Sequence, residues 1–470
     1  MSPHTVPPVV SRPAAKPVDA WDSFGFDTRQ VHAGEFADLN SGLRVPPIAL
    51  SAGYVFDDFD DQVNRFAGVP AGASGRFVGS AEASPGAIYS RQGNPTNAVA
   101  EQRLTSLEGG VDAVAVASGQ AAISAALFTL AQHGDHIVST ASIYGGTRIL
   151  FGRSFKRFGI EVDYVWDAED DAAWDRAITP QTKAIYTETI PNPRNDVTDL
   201  ARVAAVARRH NLPLVVDNTI GTPALIRAFE HGANIVVHST TKFLTGHGSA
   251  IGGAVVDGGN FDWEAAELSG RSYPLITAAP RPGAASMLDR FGAAAYARAV
   301  REAVVNDIGP TLSPFNGFLL HQGMETLSLR MDRHVDSSIA LASWLEEQAE
   351  VEAVDYAGLP SHPLFALAAR DYGVNAQGTH ARTGSVFGVR VRGGIDGARE
   401  FVNGLRIFSR MTGIGDTRSM VIHPLTSTHA SFTAELNDRL GITPGLLRLS
   451  IGLESVADLS CDLRAALDRV

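Results

Sequence analysis

Between residues 111 and 257 short apolar runs alternate with amphipathic stretches, and this constrains the fold more than any other feature of the chain. DAVAVAS, DHIVST, IEVDYVW, KAIYTET, LPLVVDN, ANIVVHST and SAIGGAVVD are the apolar runs. Most are rich in Val, Ile and Ala and bounded by polar turn residues, the pattern of strands buried on both faces. GQAAISAALFTLAQHG, YGGTRILFGRSFKRFG, AAWDRAI, DLARVAAVARRHN and PALIRAFEHG lie among them and read as helices. Strands alternating with helices predict an α/β fold, a mostly parallel sheet covered by helices on both faces.

Residues 258–310 are mixed, and a long helix is expected through SPFNGFLLHQGMETLSLRMDRHVDSSIALASWLEEQ. Strands VEAVDYAG, GSVFGVRVRGG and LLRLSIGLE follow, with helices DGAREFVNGLR and DLSCDLRAALDRV. The expected organisation is a disordered tail (1–20), an N-terminal arm (21–85), a large domain (86–310) and a smaller C-terminal α/β domain (311–470). The tail carries five prolines before Trp21 and no unbroken apolar segment of the signal-peptide kind.

Charge and cysteine content narrow the function. The formal net charge is −12, with no Lys/Arg cluster, which argues against nucleic acid or an anionic membrane as partner. A single cysteine, Cys461, excludes a disulfide framework within the chain and a Cys-rich metal site, and fits a reducing cytoplasm. The longest apolar region, 113–131, is broken by Ser, Gly and Gln and reads as a strand and a helix, not a membrane span.

Ligands of open parallel sheets bind beyond the carboxyl ends of the strands. Ser118-Gly119-Gln120, Tyr144, Asn192, Asp217, and Ser239, Thr241 and Lys242 all follow predicted strands. Singly, each has an ordinary reading: a helix cap, a packing residue, a turn, a solvated lysine. Together they are an anion-plus-cofactor arrangement. The glycine spacings of a dinucleotide fingerprint and of a P-loop are both missing. His423 and His429 in HPLTSTH lack the spacing and the carboxylate of a zinc helix, so structural or surface histidines and no metal are expected. Pyridoxal 5′-phosphate (PLP) fits the set. Its aldehyde needs a lysine amine and its pyridine nitrogen a carboxylate. Its phosphate needs a helix N-terminus and its ring face an aromatic. Lys242, Asp217, the Ser118-Gly119-Gln120 turn with Ser239 and Thr241, and Tyr144 supply these in turn.

STTKFLTGH, residues 239–247, resembles the lysine signature of the Cys/Met-metabolism (trans-sulfuration) PLP enzymes of fold type I. VHAG, IYSRQGNPTN, EGGVDAVAVASGQAA, YGGT, ETIPNP, VVDNTIGTP, GDTRSMVIHP and LLRLSIGLE resemble that family in order, over nearly the whole chain beyond residue 20. VVDGGNFDW (255–263) and SPFNGFLLHQGMETLSLRMDRHV are most similar to its O-acetylhomoserine sulfhydrylase branch.

The resemblance implies a seven-stranded sheet and residue roles. Lys242 would bind the cofactor and shuttle protons, Asp217 would face the pyridine nitrogen and Tyr144 would stack on the ring. Ser118, Gly119, Gln120, Ser239 and Thr241 would cradle the phosphate. Asn192 and Arg448 would hold the substrate carboxylate, and Ser419 would position the main chain near Lys242. Tyr89 and Arg91 would reach the phosphate of a neighbouring subunit, implying a homotetramer, a dimer of dimers with intersubunit sites. The implied reaction replaces the γ-substituent of an amino-acid ester with sulfide or methanethiol. A γ-lyase, a cystathionine synthase or lyase, and a non-catalytic PLP-binding protein are the alternatives. Gly146 stands where the lyases typically have cysteine, which favours replacement over elimination. Asn234, HPLTSTH and the stretches 65–86 and 370–385 depart from the family pattern, and the last two could reshape substrate entry.

Overall fold

The structure is a computed structural model and describes residues 21, 23–35, 43–66 and 87–470. The tail expected at 1–20 and most of the unusual stretch 65–86 lie outside the described residues. Seven strands form the larger sheet: β1 (Asp112–Val116), β2 (His136–Thr140), β3 (Glu161–Val165), β4 (Thr182–Glu188), β5 (Leu214–Asp217), β6 (Ile235–His238) and β7 (Gly253–Asp257). Their order is β1-β7-β6-β5-β4-β2-β3. β2 to β6 pair in parallel, while β7 runs antiparallel to both of its neighbours. Every residue of β2, β4, β6 and β7 is buried, which is why these strands read as continuous apolar runs.

Side chains alternate across the sheet. Val114, Tyr186, Val215 and Val237 point into one apolar cluster with Phe151 and the helix Gly119–Leu130. Val138, Ile185, Val216 and Val236 point into the other, with Phe243 and Leu244. A second sheet of five strands follows: β8 (Val351–Asp355), β9 (Val386–Val391), β10 (Ser409–Arg410), β11 (Met420–Ile422) and β12 (Leu446–Ser450), in the order β10-β11-β12-β9-β8. It is antiparallel except for the β10–β11 pair.

Two expected helices differ from the structure. The long helix after residue 313 is two, Pro314–Met324 and Leu327–Glu346. The Gly323 carbonyl accepts a hydrogen bond from Arg330 Nη2 at 2.6 Å, and Thr326 leaves helical geometry at φ −119° and ψ 19°. PALIRAFEHG is not one helix but the short turns Thr222–Leu225 and Ala228–His231. Ile226 between them is extended, with its carbonyl held by Asn218 Nδ2 at 2.9 Å.

The N-terminal arm is pinned by Arg103, whose side chain is fully buried. Its guanidinium donates to the carbonyls of Ala33, Val31 and His321 and pairs with Glu35 at 3.2 Å and Glu325 at 3.6 Å. Glu35, His321 and Glu325 present their ligand atoms close together. Arg103 already supplies the cation that this cluster needs.

His334 stands where the helix Leu327–Glu346 meets both sheets. Its Nδ1 faces the Ile451 carbonyl at 2.7 Å, and its ring meets Phe243 edge-on at 5.3 Å. Burial pushes its pKa from 6.5 down to about 4. The folded chain therefore binds fewer protons than the unfolded one between those values, so stability is complete above pH 6.5 and falls as the pH drops toward 4. At about 1.4 kcal/mol per pH unit, His334 makes acidification across this window cost about 3 kcal/mol. Denaturant unfolding at several pH values should show a shallower acid dependence in His334→Asn. Parallel curves for variant and parent would refute this assignment.

Candidate active site

The carboxyl ends of β1, β4, β5 and β6 open on one edge of the larger sheet, and the start of the reversed strand β7 reaches the same edge. Ser118 caps the helix Gly119–Leu130, its Oγ accepting from Ala121 N–H at 3.1 Å. The first N–H groups of that helix, on Gly119 and Gln120, come too early for an intrahelical partner. Close approach needs glycine here. A Cβ on Gly119 would lie 2.6 Å from Ser239 Cβ, and one on Gly253 would lie 2.1 Å from the Ser118 carbonyl oxygen. The turn and Ser239 thus form a cradle of N–H groups and a hydroxyl at the positive end of a helix, a site that fits phosphate.

Thr241 closes the neck of the loop that follows Lys242. Its hydroxyl donates to the Gly252 carbonyl at 3.1 Å and accepts from Gly252 N–H at 3.0 Å. That proton is therefore engaged within the chain. Gly246 and Gly248 in this loop take φ of 76° and 65°, left-handed values that glycine adopts without strain. His247 Nδ1 meets the Thr245 carbonyl at 2.7 Å.

Asp217 ends β5 in register with Glu188, which ends β4. Asp217 Oδ1 accepts from Thr219 N–H at 2.9 Å, and Tyr186 OH points to Oδ2 at 3.4 Å. Burial raises the Asp217 pKa, opposed by its hydrogen bonds to Thr219 and the charge of His238. On the opposite face of the sheet His238 Nε2 meets Glu108 Oε1 at 2.6 Å with both side chains fully buried. The carboxyl patch on the Asp217 face is a fitting counterpart for a protonated ring nitrogen.

Lys242 follows β6 in a turn closed by its N–H to the Ser239 carbonyl at 3.1 Å. Burial lowers the pKa of its amine, and Arg448 lowers it further. Arg448 lies on β12 and donates to the Thr412 and Gly413 carbonyls, each at 2.9 Å, and toward Asn192 Oδ1 at 3.4 Å. Burial pulls its pKa to about 10, while Tyr144 opposes the change. Its Nε is buried with no partner among the described residues, an unfilled donor that fits a carboxylate. Tyr144 is 43 % exposed and folds its ring over Gly146, where a Cβ would come within 2.4 Å of Cε1. A side chain at 146 would displace this ring. Gln120 Nε2 reaches the Gly146 carbonyl at 3.0 Å, tying the phosphate turn to the tyrosine turn.

Three expected residues make the following contacts. Tyr89 is half exposed, and Arg91 stacks on it at 5.5 Å while binding Asn306. Ser419 is buried with its hydroxyl donated to Glu454 at 2.8 Å. Two residues gain importance. Glu188 could have been noticed as an acid ending an apolar strand. His429, read as structural or surface, is buried with Nε2 3.5 Å from where a Gly145 Cβ would stand. Burial and the charges of Arg448 and Arg148 push its pKa to about 4, so it stays neutral. His423 is structural, bonded to Thr426 Oγ1 and the Pro444 carbonyl.

Comparison with known proteins agrees with this geometry. The sequence is 40% identical over 442 residues to the O-acetyl-L-homoserine sulfhydrylase of Corynebacterium glutamicum, covering 94% of this chain and 96% of that one. It is 41% identical over 450 residues to the homocysteine synthase of Schizosaccharomyces pombe, covering 95% and 99%. A crystal structure of a putative O-acetylhomoserine (thiol)-lyase from Campylobacter jejuni, bearing a pyridoxyl-lysine monophosphate, superposes with a TM-score of 0.85 at 30% identity, covering 95% of this chain and 100% of that one. The pattern of the Cys/Met metabolism PLP-dependent enzymes matches residues 27–468. With a lysine, a carboxylate and a helix-capped anion cradle brought to one sheet edge, and with this family match over nearly the whole chain, the chain belongs to the Cys/Met-metabolism family of PLP-dependent enzymes.

Proposed function

We propose that the chain catalyses γ-replacement on O-acetyl-L-homoserine with sulfide, or with methanethiol, releasing acetate and forming L-homocysteine, or methionine. The observation that carries this reading is the placement of Lys242 just beyond β6, in the turn that also brings Ser239 against Gly119, on the sheet edge where Asp217 ends β5. Bound PLP supplies an electron sink for the pair left when the substrate loses its α-proton. Arg448, with Asn192 beside it, grips the substrate carboxylate, each charged hydrogen bond contributing roughly 1.5–3 kcal/mol. Lys242 Nζ, whose basicity burial and the charge of Arg448 both lower, takes the α-proton and moves protons between the substrate carbons. Asp217 would face the cofactor nitrogen. The Ser118-Gly119-Gln120 turn and Ser239 would hold the phosphate with Thr241 beside them, the Thr241 hydroxyl also keeping the neck of the lysine loop shut. The Tyr144 ring covers the site, and Gly146 leaves room for it.

Several finer points belong to the same proposal. The arm leaves Leu50, Val55 and Phe59 exposed, and Tyr89 is half exposed with Arg91 stacked on it. Both support a homotetramer in which the latter pair completes a neighbour's phosphate site. Ser419 shapes the loop beside the lysine segment. The two sheets support a large domain over 86–310 and a smaller one over 311–470. Among the described residues no helix is long and apolar enough to cross a membrane. The single cysteine supports a cytoplasmic home.

A substrate panel tests the activity. O-acetylhomoserine, O-succinylhomoserine, O-acetylserine, cystathionine and methionine are supplied with and without sulfide. Sulfide-dependent homocysteine from O-acetylhomoserine is the expected result. Ammonia and α-ketobutyrate from methionine without sulfide would instead identify a γ-lyase. Sizing tests the assembly, since an active monomer would contradict the roles of Tyr89 and Arg91.

A further inference from the structure

One acid at the active edge has no part in the chemistry above. Glu188 ends β4, in register with Asp217 across the β4–β5 pair. Strand alternation puts both carboxyls on the face of Tyr186, whose hydroxyl reaches Asp217. Glu188 is 5% exposed, and its Oε1 accepts the Tyr144 N–H at 2.6 Å. It is the residue that binds the main chain of Tyr144 to the sheet, since Tyr144 heads the short helix Gly145–Ile149 without a side-chain cap of its own.

We propose that Glu188 is a positioning residue for the reaction: through its bond to the Tyr144 N–H it fixes where the Tyr144 ring leaves the main chain, and it couples that placement to Asp217. This rests on the PLP-dependent reading given above. Two carboxylates side by side in a dry place do not both ionise. Asp217 has the richer set of donors, from Thr219 and Tyr186, and the favourable charge of His238. Glu188 has the Tyr144 N–H to oppose burial and the charge of Asp217, which together push its pKa well up. Glu188 is therefore the member of the pair pushed toward its protonated form, and Asp217 the member whose charge its donors support. Glu188 acts as an acceptor for a main-chain N–H, a task that a neutral amide oxygen performs equally well.

Glu188→Gln, Glu188→Asp and Glu188→Ala test this in the purified full-length enzyme. The readouts are the dissociation constant of PLP from equilibrium dialysis, the induced circular dichroism of the bound cofactor, and kcat. Glu188→Gln should stay within about threefold of the parent in all three, because it keeps the acceptor. Glu188→Asp, too short to reach Tyr144, and Glu188→Ala should weaken PLP binding by about tenfold and diminish the dichroism, with a parallel fall in kcat. Far-ultraviolet dichroism of the apo-protein reports whether each variant folds, and Glu188→Asp stands in should the alanine variant not fold. The proposal is overturned if the shortened variants bind PLP with unchanged affinity and dichroism. It is equally overturned if Glu188→Gln is as impaired as Glu188→Ala. Failure of the parent to bind PLP at all would instead remove the reading on which the proposal rests.

Discussion

Replacing Lys242 with alanine is expected to lower kcat/KM by on the order of 10⁴-fold, the upper end of what a positioned general base contributes. In the proposed reaction the same amine also anchors the cofactor, so two functions would vanish together. The yellow colour of the purified parent should disappear with the lysine–cofactor link. Arginine at this position would not rescue, because its guanidinium remains protonated and cannot form that link. An added small primary amine should restore part of the activity, with a pH dependence set by the pKa of the added amine. Burial and Arg448 push the Lys242 pKa down, so the parent's acidic limb should lie below the ordinary lysine value of 10.5. A variant retaining more than about one-hundredth of the parent's rate would remove Lys242 from the mechanism.

Asp217→Asn is the second large effect. Asparagine keeps the oxygen that accepts the Thr219 N–H at 2.9 Å, so the turn survives. It removes the negative charge proposed to face the cofactor nitrogen. Loss of one preorganised electrostatic partner lowers kcat by about 10²–10³-fold. PLP should still bind, held by the phosphate cradle and Lys242. The exchange also reaches Glu188, because the charge of Asp217 is one of the two causes that raise its pKa. Glu188 should therefore ionise more readily in the variant than in the parent. An unchanged kcat in Asp217→Asn would show that the charge does not serve the chemical step.

The strands of the larger sheet were legible because burial on both faces leaves a continuous apolar text. The direction of β7 was not, since strand composition carries no sign of polarity. β10 and β11 were missed because they are only two and three residues long, too short for any periodicity. The split after Met324 depends on Arg330 capturing the Gly323 carbonyl, a tertiary contact that no local pattern announces. Lys242, Asp217 and the Ser118 turn could be found because each follows a strand. Glu188 was visible in ETIPNP, but its relation to Tyr144 and Asp217 exists only in the register of β4 on β5. His429 failed a metal-spacing test that was sound, yet the fold carries it beside Gly145 for other reasons.

The Thr241–Gly252 neck has a mechanical consequence. Because β7 runs backwards, the chain leaves the active edge at Lys242 and returns to it at Gly252. Both ends of the lysine loop are therefore tied to the same rim, and the main chain at Lys242 has little room to travel. Any journey the amine makes between the cofactor and successive substrate carbons falls to its four-carbon stem. Rotamer changes of a lysine stem occur in roughly picoseconds to nanoseconds when it is free to move, far faster than hinge motions of whole domains. A proton shuttle carried by Lys242, as proposed, would thus be a swivelling arm on a fixed post, with its reach set by stem length.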